Sequence, residues 1–329
     1  MSQTMRVGIV GCGGIARAHL RAYREAGAQV VSVYDTVPAA AEKFAPEAGA
    51  TVAVSLAEMA AARLDAVSVC SPPGVHYENC KPFLKARVPI LCEKPMAADA
   101  RAAARLAAAV RQSGTLFMVA YCHRFHPAIV ELRKLIQNDV LGTPVLMRNV
   151  FGGFVDISAN HRANKALGGG GVMIDNGSHS SDLFRFLVGE PTAVTAMIGN
   201  AMQRVPVEDF CMLDLEAAGP AFGQILSSYS LKVCGNWIEW YGTKGTAIVS
   251  YWNAGQPDLS YRLAGAKDAV VVDCSQLPQR FPAQIAHFLA CVRSGSTPAI
   301  TAEDGLKASR IIAAAYKSAA TGRRVRLRE

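Results

Sequence analysis

The chain predicts an α/β fold followed by an α+β fold: a doubly wound parallel sheet over residues 1–122, then a domain over 123–329 built on a large, open, mostly antiparallel sheet. Three observations carry this. Up to residue 120, short β-branched runs alternate with alanine-rich helical stretches, the rhythm of a parallel sheet with helices on both faces. After residue 122 the runs become longer and strand-rich, with few helices between them. The 329 residues are 51% hydrophobic, enough for two real cores and too apolar for disorder.

In order, strands are expected at Arg6–Val10, Val30–Tyr34, Ala66–Cys70, Pro89–Cys92 and Leu116–Ala120. Helices are expected between them at Ile15–Ala26, Tyr77–Ala86 and Asp99–Gln112. Asp99 suits an N-cap and Gly114 a stop, by the ordinary chemistry of helix ends. A helix over Ala128–Asn138 follows, then "VLMRNVFGG", "TAVTAMIG", "FCMLDLEA", "GQILSSYSL", "WIEWYGTKGTAIVSY" and "LSYRL" read as strands. A helix carrying "GGGGVMIDNGSHSSDLFRF" interrupts them, and two alanine-rich helices near Ala283–Arg293 and Ala302–Ala320 close the chain.

No apolar run reaches the roughly 18–20 residues that cross a bilayer, and the glycine-rich start reads as a first strand rather than a signal peptide. A cytoplasmic protein without a membrane partner is expected. The nine cysteines contain no C-x-x-C pair, so free thiols are expected and a zinc–cysteine site is not. Basic residues exceed acidic ones by 34 − 26 = 8. They are dispersed apart from "GRRVRLRE", with no basic-aromatic stripe, so no nucleic-acid partner is expected.

"VGIVGCGGIARAHL" places Gly11, Gly13 and Ala16 in a G-x-G-x-x-G/A pattern directly after the first strand and at the start of a helix. That context makes the first domain a Rossmann-type dinucleotide site. Gly11, Cys12, Gly13, Gly14 and Ile15 would cradle the pyrophosphate at the positive helix end. Asp35 ends the second strand, where a carboxylate binds ribose hydroxyls. "YDTVPAA" offers no arginine for a 2′-phosphate, so NAD is favoured over NADP.

Further along, Asp175 and His179 stand four apart and share one helix face. They admit three readings: a carboxylate–imidazole pair for proton transfer, a metal site completed by Asp182 at i+7, or a polar helix surface. Asp182 and Arg185 suit side-chain pairing along the helix.

Three more stretches, taken with the glycine fingerprint, resemble the Gfo/Idh/MocA family of nicotinamide-dependent sugar and polyol oxidoreductases. They are "VCSPPGVHYENCKPFLKARVPILCEKPMA", "GGGGVMIDNGSHSSDLFRFLVGEP" and "ITAEDGLKASRIIAAAYKSAATGRRVRL". The resemblance implies that Lys94, Asp175 and His179 form the catalytic group. Lys94 would polarise a substrate hydroxyl and stabilise the alkoxide as hydride leaves. His179, with an unperturbed pKa near 6.5, suits taking the hydroxyl proton. Asp175 would orient the imidazole or bind a neighbouring hydroxyl. Pro95 would pin the backbone behind Lys94, through a cis bond. Four glycines would let the loop lie against nicotinamide and sugar without steric conflict. Cofactor contacts are implied for Ser71, Pro72, His76, Glu93, Lys94, Cys122 and Arg162; His76 could equally cap its own helix. Two positions depart from the family pattern: Cys122 stands where asparagine is frequent, and His161 replaces the tryptophan before Arg162.

The function implied is NAD-dependent oxidation of a secondary hydroxyl on a sugar, polyol or sugar derivative, with no metal, since hydride transfer needs none. Relatives with other outcomes define two alternatives, a redox-neutral NAD-using glycosidase and a non-catalytic sugar sensor. A second-domain sheet covered by helices on one face implies a homodimer or homotetramer.

Overall fold

A computed structural model describes residues 4–251 and 258–327. The final two residues of the basic C-terminal stretch lie outside them. The fold divides into two compact units, Met1–Cys122 with Gln279–Lys307 and His123–Pro278 with Ala308–Glu329.

The first unit runs β1 (Arg6–Val10), α1 (Gly14–Glu25), β2 (Gln29–Tyr34), α2 (Pro38–Ala48), β3 (Thr51–Val52), α3 (Leu56–Ala61), β4 (Ala66–Val69), α4 (His76–Ala86), β5 (Ile90–Cys92), α5 (Ala100–Ser113) and β6 (Phe117–Val119). Its sheet has the order β3-β2-β1-β4-β5-β6, and every neighbouring pair is parallel. β4, β5 and β6 are buried at every residue, as strands covered on both faces must be. α1 buries Ala16, His19, Leu20 and Tyr23, an i, i+3, i+4, i+7 stripe against the sheet. The expected helix signals are in place: Asp99 accepts the Ala102 N–H at 2.8 Å, and Gly114 ends α5 in the left-handed region.

The strand order reverses between β1 and β4. Loops leaving the carboxyl ends of these strands diverge there and open the crevice in which doubly wound sheets bind ligands. The segments after β1, β4 and β5 are Gly11–Gly13, Ser71–Pro72 and Glu93–Lys94, so topology alone gathers these predicted nucleotide residues on one edge; Arg162 belongs to the second unit.

The second unit begins with α6 (Pro127–Gln137), β7 (Pro144–Gly152), α7 (Lys165–Gly168) and α8 (Val172–Leu187). It continues through β8 (Pro191–Gly199), β9 (Phe210–Ala217), β10 (Phe222–Ser228), β11 (Trp237–Gly242), β12 (Gly245–Ser250), β13 (Leu259–Leu263) and β14 (Val270–Val272). α9 (Arg280–Ser294) then belongs to the first unit, α10 (Ala302–Thr321) runs from the first into the second, and β15 (Val325–Arg326) ends the chain.

The second sheet has nine strands in the order β14-β13-β12-β11-β7-β10-β9-β8-β15. Among the described residues only β7 and β10 of this sheet pair in parallel. One face is covered: Leu213, Leu215, Ile225, Ile238 and Trp240 share a core with Ile129 and Leu132 of α6, Phe184 and Leu187 of α8, and Ile311 and Ile312 of α10. The fit is close, since a Cβ at Gly223 would sit 2.5 Å from the Phe184 ring. Alternate residues point the other way. Strand register lines up Met197, Met212, Leu226, Val150 and Trp237 in one apolar row on that opposite face.

Candidate active site

The glycine loop is built for close approach. Gly11 has φ +87°, and a Cβ there would lie 2.7 Å from the Ser71 backbone nitrogen, so β1 and the segment after β4 meet only without a side chain. Around Gly13 and Gly14 the space is open, with nothing within 4 Å of either Cβ position. Gly13 caps the 12-residue α1 without a side-chain hydrogen bond. An open cradle at a helix N-terminus suits a pyrophosphate. At its rim Asp35 accepts the N–H of Cys12 at 2.8 Å and of Val37 at 2.9 Å, which fixes the carboxylate where ribose hydroxyls would bond. The residues present therefore fit a dinucleotide. Burial, then the neighbouring Asp35 charge, pushes the Cys12 thiol up to about 12, so it stays protonated. Asp35→Ser combined with Thr36→Arg should move cofactor preference toward NADP by about 100-fold, the worth of one or two charge-assisted hydrogen bonds. Unchanged NADP/NAD ratios of kcat/KM would place the ribose elsewhere.

Beyond β4, Asn79 Nδ2 donates to Ser71 Oγ at 2.9 Å. His76 is fully buried, with Nε2 2.7 Å from the Ser71 carbonyl and Nδ1 3.2 Å from that of Met96. Burial lowers its pKa, and a neutral ring has one N–H to give; the shorter contact to Ser71 takes it. His76 is thus bonded to the loop after β4 and packed beside the loop after β5, and it makes no side-chain cap on α4. After β5, Glu93 Oε2 accepts the Lys94 N–H at 3.1 Å, and the Lys94–Pro95 bond is cis, as expected. Cys122 is buried, and burial pushes its thiol up to about 12.

In the second unit, α8 carries Asp175 and His179. Its N-terminus is held by Glu208, whose Oε1 accepts the N–H of Gly171 at 2.9 Å, the N–H of Met173 at 3.1 Å and the Tyr316 hydroxyl at 2.7 Å. A carboxylate there also suits the helix dipole. A Cβ at Gly170 would fall 1.9 Å from Tyr316 Oη, and one at Gly171 would fall 1.8 Å from the Glu208 carbonyl oxygen. Two of the four glycines are thus demanded by the protein's own packing, a stronger reason than the ligand contact expected from sequence.

Asp175 Oδ2 accepts Arg162 Nε at 2.7 Å and also the Tyr229 hydroxyl. The Asp175 carboxylate raises the Arg162 pKa further; burial first, then Asp175, raises that of Tyr229. Arg162 sits on the turn His161–Ala163, its N–H bonded to Asn160 Oδ1 at 2.9 Å. His179 is 5% exposed and stacks on His123, centroids 4.1 Å apart and planes at 11°, with the Phe151 ring edge-on at 6.0 Å. Arg124 grips Asp182 with bonds of 2.8 and 2.6 Å, and Arg185 stands 3.7 Å away. The expected pairing of Asp182 with Arg185 is present, with Arg124 added. The polar-surface reading of Asp175 and His179 fails, because one is ion-paired and the other buried. Glu208, Tyr316, Tyr229 and His123 went unseen in the sequence.

Comparison with known proteins decides the family. Residues 5–121 match the model described as the oxidoreductase family with an NAD-binding Rossmann fold, and residues 129–248 match the GFO/IDH/MocA C-terminal domain. The chain belongs to the Gfo/Idh/MocA oxidoreductase family. It is 29% identical to the inositol 2-dehydrogenase of Rhizobium meliloti, over 98% of this chain and 99% of that one. Among solved structures, the aldose-aldose oxidoreductase of Caulobacter crescentus complexed with glycerol superposes with a TM-score of 0.89 at 26% identity, covering 99% of this chain and 100% of the other. A levoglucosan dehydrogenase in complex with NADH and levoglucosan shares the fold at a TM-score of 0.91 and 21% identity, over 99% and 100% of the two chains. As a member of this family the Gfo/Idh/MocA chain is an NAD-binding oxidoreductase with the predicted pair of sheets. Among the described residues, no helix is long and apolar enough to cross a membrane.

Proposed function

We propose that this oxidoreductase acts on a secondary hydroxyl of a polyol or sugar, with Lys94, Asp175 and His179 as its catalytic group. The observation that carries the reading is the pairing on α8: a carboxylate ion-paired to Arg162, one turn before a buried imidazole walled by aromatic rings. NAD, when bound, supplies the hydride acceptor. The Lys94 ammonium polarises the hydroxyl oxygen and steadies its developing negative charge. A ring nitrogen of His179 takes the hydroxyl proton, its plane held by His123 and Phe151. Asp175, bonded to Arg162 and Tyr229, accepts a hydrogen bond from a neighbouring substrate hydroxyl. Gly11, Cys12, Gly13, Gly14, Ile15 and Asp35 hold the cofactor, with Ser71, Pro72 and the Glu93–Lys94 edge beside them. The names of the inositol 2-dehydrogenase and the aldose-aldose oxidoreductase support a polyhydroxylated substrate. Cofactor reduction in the presence of such compounds tests the reading.

We also assign substrate binding and self-association to the second unit. The row Met197–Met212–Leu226–Val150–Trp237 lies on the face away from the core, with Met197 68% exposed. An apolar row of this kind, beside the polar row Asp214–Gln224–Arg148–Glu239, favours a second copy of the chain over water. Light scattering is expected to give the mass of a homodimer or homotetramer, and Met212→Lys with Leu226→Lys to shift it to a monomer. A monodisperse wild-type monomer would contradict this. The thiols, eight of the nine buried and all free, suit the reducing cytoplasm.

A further inference from the structure

One turn past the glycine loop, α1 buries two polar side chains within its apolar stripe: His19 and Tyr23 are both at 0% exposure. Polar groups buried this deeply persist only when they are bonded. His19 Nδ1 lies 3.0 Å from Ser68 Oγ, and Tyr23 Oη lies 2.7 Å from the same oxygen. His19 Nε2 lies 2.8 Å from Glu93 Oε1. The second carboxylate oxygen of Glu93 accepts the backbone N–H of Lys94 at 3.1 Å. An unbroken chain of hydrogen bonds therefore runs from the helix under the glycine loop to the peptide nitrogen of Lys94.

We propose that His19 is a positioning residue for Lys94: acting through Glu93, it fixes the peptide from which the lysine side chain projects and couples it to α1. The proposal rests on the catalytic reading of Lys94. Burial favours the neutral imidazole, but the Cys70 sulfur and the Glu93 carboxylate outweigh it and push the His19 pKa up to about 10. Nε2–H donates to Glu93, which has no proton to offer, while Nδ1 meets the Ser68 hydroxyl, and a buried carboxylate so paired keeps its orientation. On the far side of Pro95, the buried His76 ring packs beside Met96, with Nδ1 3.2 Å from its carbonyl oxygen. Neither ring has exposed surface, which leaves them to act through the loop.

The test compares two neutral, polar replacements. His19→Gln keeps a donor at the reach of Nε2, toward Glu93; His19→Asn keeps one at the reach of Nδ1, toward Ser68, and loses Glu93. Turnover is read with the polyol that reduces NAD, myo-inositol being tried first. Competitive acetylation read by mass spectrometry follows Lys94 without any substrate, with Lys81 and Lys85 as internal references. In His19→Asn, kcat is expected to fall about 10- to 100-fold, the scale of a small misplacement of a catalytic group. NADH affinity should stay within about threefold, and the Lys94 labelling rate should change by at least about threefold while the reference lysines hold. His19→Gln should restore both readouts to near wild type. Equal kcat and equal Lys94 labelling in the two variants and wild type would overturn the proposal, even if both melt at lower temperature. Lys94→Ala, run alongside, separates the two ideas. If it keeps full turnover, the reading of Lys94 fails; if it is inactive while His19→Asn matches wild type in both readouts, the positioning role alone fails.

Discussion

Lys94→Ala is expected to lower turnover by about 100- to 1,000-fold, the scale of losing one preorganised electrostatic stabiliser, while NADH affinity stays within about threefold. The position of Lys94 sets this expectation. The residue follows β5 on the carboxyl edge of the parallel sheet, and its backbone N–H is held by Glu93. Neither feature needs the lysine side chain, so alanine keeps the loop and removes only the ammonium. The cofactor's phosphates are assigned to the open space at Gly13 and Gly14 and its ribose to Asp35, which the substitution leaves alone. Lys94→Arg should not rescue, since a planar guanidinium replaces a compact point charge. A variant with weak NADH binding and normal kcat at saturation would contradict the assignment.

Gly171→Ala is the second large effect expected, this time on stability. A Cβ at Gly171 would meet backbone atoms, the Glu208 carbonyl oxygen at 1.8 Å and its carbon at 2.8 Å. Backbone cannot rotate aside as a side chain can, so the start of α8 or the Glu208 strand entry must shift. That breaks the bonds from Glu208 to Gly171 and Met173 and loosens the contact with Tyr316. A cost of about 3 kcal/mol or more follows from overpacking of this severity, roughly 6–12 °C in the thermal midpoint. Gly219→Ala, at a position with nothing within 4 Å of the Cβ, is the control and should melt within about 1 °C of wild type. Equal melting of the two variants would show that the glycine run is not a packing requirement.

What could be read from sequence was local. The G-x-G-x-x-A turn, the Asp99 cap, the Gly114 stop and the Asp175–His179 spacing each depend on residues a few positions apart, and each is present. The partners that give those residues their chemistry come from far along the chain. Tyr229 reaches Asp175 from the end of β10, and Glu208 and Tyr316 meet Gly171 from β9's approach and from α10. No spacing rule links such positions; only the sheet order brings them together. His19 did leave a trace, a polar residue inside the buried stripe of α1, though its partner Glu93 is fixed only when β4 and β5 pair side by side. The placement of α9 with the first unit has no local signal at all.

The central claim is hydride exchange between NAD and a polyhydroxylated small molecule. Its most direct measurement is absorbance at about 340 nm, where the reduced cofactor itself reports the chemistry, with purified protein, NAD and a panel of polyols, aldoses, uronic acids and nucleotide-sugars. A substrate-dependent rise that disappears in Lys94→Ala is the predicted result. A flat trace across the panel, or a rise undiminished in Lys94→Ala, would contradict the account.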